Sequence, residues 1–321
     1  MNMTTTRFAA FLPLVSCILC LASAGPTCAD PPATAKTRGQ DALTDKKRIL
    51  FLGDSITASG HYIEYLEAAL RKSHPDTEFI NLGLPSEGCT GLSEPKHPFP
   101  RPNIHERLDR ALARTKPDLV FACYGMNDGI YYPFSEDRFA KYRIGIDTLI
   151  VKVSEHGAKL ILLTPPPFDP VPLKKKGNLL PADAKEFSWM KIYEHYDRDV
   201  IARYAQWLLN ERSTAAHLID LHAPITEFVT TKRKDDPDFV LSGDGVHLNK
   251  DGHRLIADAI HQALYEKPLP EIPPATLNLV AKQQQIMHAS WLSHVGHKRP
   301  GMKAGLPLEE ARSKAAALAE K

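Results

Sequence analysis

The sequence predicts an α/β fold, a parallel sheet covered on both faces by helices. From Lys46 onward, short apolar runs alternate with amphipathic stretches at helical spacing. The runs are apolar at consecutive positions rather than at alternate ones, the pattern of strands buried on both faces. The chain has 321 residues, 43% hydrophobic and 24% charged. That is long enough for one large covered sheet and too apolar for wholesale disorder.

The elements follow in order. Residues 48–52 (RILFL) read as the first strand, and Tyr62, Ile63, Leu66 and Leu70 recur at helical spacing over 61–72. Residues 78–82 (EFINL) are the second strand, and 104–114 place Leu108, Ala111 and Leu112 on one helical face. Residues 118–124 (DLVFACY) form the third strand, 139–153 a helix, and 159–163 (KLILL) the fourth strand. A helix over 193–209, a fifth strand over 217–221 (HLIDL) and a helix over 255–264 complete the alternation. Such sheets collect chemistry at the carboxyl ends of their strands.

Two segments break the pattern. Residues 165–189 carry six prolines and the run Lys174-Lys175-Lys176. They read as a long surface loop, either lining a cleft or a plain insertion, with the lysines as a solvated turn. After Lys267 the chain is punctuated by proline, then helical over 277–292 and again over 308–320. Residues 268–321 are too short for a domain of their own and are expected to strap across the main one, residues 46–267.

Residues 8–21 (FAAFLPLVSCILCL) follow a single positive charge, Arg7, and precede small-residue sites after Ala24 and Ala29. Residues 1–29 therefore read as a secretory signal, implying a secreted or periplasmic protein; an uncleaved anchor is the alternative. The apolar run is shorter than the ~20 residues of a spanning helix, so no stable membrane insertion is expected after its removal. Residues 30–45 read as a linker. Lys+Arg 40 against Asp+Glu 38 leaves no excess that would suggest a nucleic-acid partner. Five cysteines are too few for a disulfide scaffold, and three of them precede residue 30. Cys89 and Cys123 remain, either paired in an oxidising compartment or as buried thiols.

Four short blocks could carry chemistry. Gly53-Asp54-Ser55 follows the first strand directly, which would hold a hydroxyl at the sheet's carboxyl edge; an ordinary capping turn has the same composition. Asp244-Gly245-Val246-His247 places a carboxylate three residues before an imidazole, the pair a serine needs to lose its proton. Gly125-Met126-Asn127-Asp128 follows the third strand, where an Asn amide can donate to a developing oxyanion. Residues 81–88 (NLGLPSEG) follow the second strand with small residues that let backbone N–H groups face a ligand. Each block alone is also ordinary turn chemistry.

Together, and in this order, the blocks resemble the SGNH hydrolase superfamily, the GDSL esterases and lipases, over about residues 46–264. The resemblance implies a flavodoxin-like three-layer α/β/α sandwich on a five-stranded parallel sheet. It implies Ser55 as nucleophile, His247 as base, Asp244 as its orienting acid and Asn127 as an oxyanion donor. The family's second oxyanion donor is a Gly five residues after the block-two Asn. Counted from Asn81, that position is Ser86, with Gly88 and Gly91 as alternatives, and the backbone N–H of Ser55 is expected to join it. Block one reads Gly-Asp-Ser-Ile where the family name implies Leu.

The expected function is a serine esterase acting through an acyl-enzyme, without metal or organic cofactor, on a small-molecule or glycan ester. Tyr124, Tyr131, Tyr132, Phe134 and Phe168 follow strands three and four and would suit sugar rings or the core, which favours glycan O-deacetylation. A lysophospholipase or short-chain lipase is the alternative within the family, and a non-catalytic glycan-binding protein the alternative outside it. Other chemistries fit less well. The α/β-hydrolase elbow needs a second Gly where Thr57 stands. An Mg²⁺ phosphatase would rest on Asp54 and Asp128. A zinc site would rest on His294 and His297 without a cysteine or acid at ligand spacing. The oligomeric state is left open.

Overall fold

The computed structural model describes residues 43–319; the expected signal and nearly all of the expected linker lie outside them. Five parallel strands form the central sheet: β1 (Arg48–Gly53), β2 (Glu78–Asn81), β3 (Leu119–Cys123), β4 (Lys159–Leu163) and β7 (His217–Ile219). Their spatial order is β2-β1-β3-β4-β7, so the connection reverses direction next to β1. The carboxyl ends of β1 and β3 lie side by side there, with Gly53 opposite Cys123. That is the crevice where doubly wound sheets bind ligands.

Alternate strand residues feed two cores. Leu50 and Leu52 of β1, with Val120 and Ala122 of β3, face α3 (Leu108–Thr115), α4 (Glu136–Glu155) and α6 (Ala202–Glu211). Ile49, Phe51, Leu119 and Phe121 face α2 (His61–Leu70), α7 (His222–Asp235) and α8 (Lys250–Tyr265). On this second face the rings of Phe51 and Phe121 stack with centroids 5.0 Å apart. Burying each such side chain contributes roughly 1.5–3 kcal/mol. The result is the three-layer sandwich, with a two-faced sheet explaining why the strands are continuously apolar.

The proline-rich segment is partly structured. It contains α5 (Val171–Lys174) and pairs β5 (Leu179–Leu180) with β6 (Ile192–Tyr193). Phe168 and Phe187 are buried in the first core, so the expectation of a plain surface loop is corrected. The expected helix over 193–209 begins at Asp197, whose first turn is widened over Asp197–Ile201 before α6. Helix α7 had no counterpart in the sequence reading.

Beyond residue 267 the chain forms α9 (Pro274–Val295) and α10 (Leu308–Ala317). Helix α9 lies along the β2 edge against α2 and α3. Its buried Gln284 donates to the Glu67 carboxylate at 2.6 Å and to the Phe79 carbonyl at 2.9 Å. Trp291, Leu292 and Val295 complete the first core, so the segment is a fixed outer layer. Cys89 and Cys123 are both buried free thiols. They belong to opposite cores, so the sheet separates them and the pairing alternative fails. No helix among the described residues is long and apolar enough to cross a membrane.

Candidate active site

Ser55 is the first residue of α1 (Ser55–Ala58), immediately after β1. Asp54 caps that turn by accepting from the Ile56 N–H at 2.9 Å. Burial pushes the Asp54 carboxyl up to about 7, against that hydrogen bond. The tight strand-to-helix turn leaves the Ser55 side chain only partly buried at the sheet's carboxyl edge.

His247 reaches the same place from the other end of the fold. Its Nε2 lies 2.8 Å from Ser55 Oγ, and its Nδ1 lies 2.7 Å from Asp244 Oδ2. The other oxygen of Asp244 accepts from the backbone N–H of Val246 and His247 and from the Ser242 hydroxyl, at 2.8–3.0 Å. Burial works against the Asp244 charge, but the hydrogen bonds from His247 and Val246 outweigh it and hold the carboxyl well below its usual range. The Asp244 hydrogen bond raises the His247 pKa, burial opposes it, and the charges of Asp244 and Asp54 add to the rise. Both side chains are about half exposed, 51% for His247 and 53% for Asp244. Water screens their attraction until something covers them.

Asn127 is held from three sides. Its Nδ2 donates to the Glu87 carbonyl at 3.0 Å, and its Oδ1 accepts from Tyr131 at 2.8 Å and Arg101 at 2.9 Å. Two donors on Oδ1 fix which end of the amide is which and leave one Nδ2 hydrogen for a ligand. Arg101 is itself clamped by Glu94 through two bonds of 2.7 Å, an ion pair buried on both sides. Asp128, next along, is buried, and its Oδ1 accepts from the backbone N–H of Cys89 and Thr90.

Residue 86 is not glycine, but its backbone has a glycine's conformation, φ 69°. A non-glycine residue there costs of order 1 kcal/mol, so surrounding contacts must hold it. The backbone N–H groups of Ser55 and Ser86 have no acceptor among the described residues. Gly88 is different: its N–H donates to the Pro102 carbonyl at 3.0 Å. A Cβ on Gly88 would stand 2.7 Å from Asp128 Oδ1. Gly88 therefore makes room for a carboxylate, and its expected place among the oxyanion donors is corrected. Gly91 does not line the pocket.

A pocket of about 260 Å³ opens at Ser55. Ser86, Asn127, Arg101 and Arg299 line it with Phe99, Tyr131 and Trp189. A second pocket, about 390 Å³, shares Tyr131, Trp189 and His247 and extends past Leu173 and Met190. Of the five aromatic residues named from sequence, Tyr131 alone lines either one. Tyr124 and Phe168 are core residues, and Tyr132 and Phe134 pack against the core. Trp189, 46% exposed, and Phe99 were missed because neither follows a sheet strand. The arrangement joins a hydroxyl, a base facing it, and three unoccupied N–H donors around one small pocket. It has the parts required for acyl transfer.

Solved structures with this fold include a gut microbial diltiazem-metabolizing enzyme, 19% identical with a TM-score of 0.53 over 68% of this chain and 46% of that one. The chain thus spans less than half of that protein. An aryl esterase from M. smegmatis is 19% identical with a TM-score of 0.46, over 68% of this chain and 99% of that one. A carbohydrate acetylesterase family member from Sinorhizobium meliloti is 18% identical with a TM-score of 0.45, over the same shares. No curated protein matches the sequence. Residues 51–255, from β1 into α8, match the GDSL-like lipase/acylhydrolase family. The chain belongs to that family.

Proposed function

We propose that the protein is an exported serine esterase that removes small acyl groups, acetyl foremost, from a carbohydrate or similar hydroxylated carrier. The observation that carries the reading is the continuous Asp244–His247–Ser55 chain, with links of 2.7 and 2.8 Å. In this mechanism His247 Nε2 takes the Ser55 proton as Oγ attacks the ester carbonyl. The oxyanion that forms is held by the free Nδ2 hydrogen of Asn127 and the backbone N–H groups of Ser55 and Ser86. His247 then gives the proton to the departing alkoxide, leaving an acyl-Ser55. Water attacks that ester, His247 takes its proton, and collapse returns the proton to Ser55 Oγ while the carboxylic acid leaves.

Two features support a small acyl group on a sugar-like carrier. The pocket at Ser55 is small, about 260 Å³. The half-exposed Trp189, on the wall it shares with the larger pocket, presents an aromatic ring, and aromatic faces suit sugar rings. Export rests on residues 1–29 of the sequence. The test is hydrolysis of a short-chain aryl ester by wild type, Ser55→Ala and His247→Ala. Each variant is expected to lose a factor of ~10⁴ or more in kcat; equal rates would remove the mechanism. Acetate release from acetylated polysaccharide, set against fatty-acid release from lysophospholipid, tests the carrier.

A further inference from the structure

Three guanidinium groups from two distant parts of the chain converge on the loop between Leu84 and Gly88. Arg107, the residue before α3, grips the Glu87 carboxylate with two bonds of 2.7 Å and donates to the Leu82 carbonyl. Arg101 donates to Asn127 Oδ1 at 2.9 Å and reaches the Ser86 carbonyl at 3.4 Å. The third is Arg299, from the segment between α9 and α10, outside residues 51–255. Its Nε donates to the Pro85 carbonyl at 2.8 Å and one Nη donates to the Pro300 carbonyl at 2.9 Å. The guanidinium lies over the Phe99 ring, 5.1 Å from the centroid, and pairs with no carboxylate among the described residues.

The Pro85 carbonyl and the Ser86 N–H belong to one planar peptide unit and point in opposite directions. A charged donor on the oxygen fixes the plane of that unit and strengthens the N–H as a donor on its other side. Residue 86 needs such a hold, because a left-handed serine relaxes most readily by rotating this peptide, which would turn the N–H out of the pocket. We propose that Arg299 is a positioning residue for the oxyanion hole, acting through the Pro85–Ser86 peptide. The C-terminal layer then completes the active site rather than only covering the β2 edge. It is well placed to do so. Val295 and His294 at the end of α9 accept through their carbonyls from Arg110 and Arg114 of α3. His288, on α9, bonds the Gly83 carbonyl at 2.9 Å. The loop and the segment carrying Arg299 are thus fixed to the same framework.

The inference rests on the serine esterase reading, and the two are tested separately. Loss of turnover in Ser55→Ala establishes the reading; its retention refutes the reading whatever Arg299 does. For the inference, kcat and KM on a short-chain aryl ester are measured for wild type, Arg299→Ala and Arg299→Lys, with the thermal midpoint of each. Removing an oxyanion donor outright costs about 10²–10³ in kcat, so loosening one is expected to cost about 10- to 100-fold. KM should stay within about twofold, because the contact matters most when charge develops on the carbonyl oxygen. Lysine, able to reach the Pro85 carbonyl with one donor, should restore part of the loss. Inactivation by a serine-directed phosphonate, whose phosphoryl oxygen occupies the oxyanion position, should slow by the same factor as kcat. A rise in KM at constant kcat would make Arg299 a substrate contact and overturn the proposal. Unchanged kcat in both variants would overturn it as well. If Arg299→Ala fails to fold, Arg299→Lys and its phosphonate rate carry the same comparison.

Discussion

Asp244 divides its two oxygens between two tasks. Oδ1 accepts from Ser242, Val246 and the His247 backbone, which holds the carboxylate in place; Oδ2 faces the His247 ring. The imidazole must be neutral to take the Ser55 proton, and the Asp244 hydrogen bond raises its pKa from 6.5. We expect kcat/KM to rise with pH through a midpoint above 6.5, set by the ring's folded pKa. In Asp244→Asn the midpoint should fall and the plateau should drop by up to about 10⁴, since the ring loses both its charge partner and its fixed tautomer. The same midpoint in both proteins would show that Asp244 does not act on this ring. Ser55, His247, Asp244 and Asn127 were nameable from short blocks, because each block also marks a strand end or a turn. Arg101, Glu94 and Arg299 were not. They sit in stretches without periodicity, and a charged residue there looks like any solvated one. Glu94 and Arg101 are nonetheless almost completely buried.

The turn carrying His247 depends on Gly245. Its φ is 78°, and a Cβ there would stand 2.4 Å from the Asp169 carbonyl oxygen. The Gly245 carbonyl accepts from the Asp169 N–H at 2.9 Å, so the proline-rich segment sets where the imidazole lies. Gly245→Ala should push the turn away from that segment. Misplacing a catalytic group by about 1 Å can cost ~10² in rate. Gly243, with open space around the same added atom, is the control, and Gly243→Ala should behave as wild type. Equal kcat in the two variants would remove the argument. The sheet strands and most helices were visible as apolar periodicity. Helix α7 was not, because Ile225 is its one fully buried side chain. The β5–β6 pair was invisible for another reason: two residues per strand, Leu179–Leu180 and Ile192–Tyr193, carry no period.

His253 of α8 links two layers of the molecule's acid sensitivity to one side chain. Its Nε2 bonds the Ser59 hydroxyl at 3.0 Å, and its ring stacks on Tyr62. Burial, reinforced by His61 and His247, lowers its pKa from 6.5 to about 3. The unfolded chain therefore binds a proton below 6.5 that the folded chain refuses until about 3. This contribution to stability is complete above pH 6.5 and is lost as pH falls from 6.5 toward 3. Asp54 and Glu67, raised to about 7 by burial, act in the opposite sense, from pH 7 down to 3.8 for Asp54 and to 4.5 for Glu67. The measurement is therefore the difference in unfolding free energy between wild type and His253→Gln across that range. Wild type should lose stability relative to the variant as pH falls, and a constant difference would refute the assignment.

Local pattern was sufficient for the layered α/β architecture, because a strand buried on two faces and a helix buried on one leave different periods in the chain. It also marked the four blocks, because Ser55 and Asn127 lie just past strand ends and Asp244 and His247 lie in the turn before α8. Convergence was a different matter. Ser55 and His247 are 192 positions apart, and their contact follows from strand order, which no local signal encodes. Gly88 is the clearest case. Its composition suggested a donor, but its N–H is taken by Pro102 and its missing side chain makes space for Asp128. A backbone N–H is free or occupied according to what packs against it, and that is settled by residues far away in the chain.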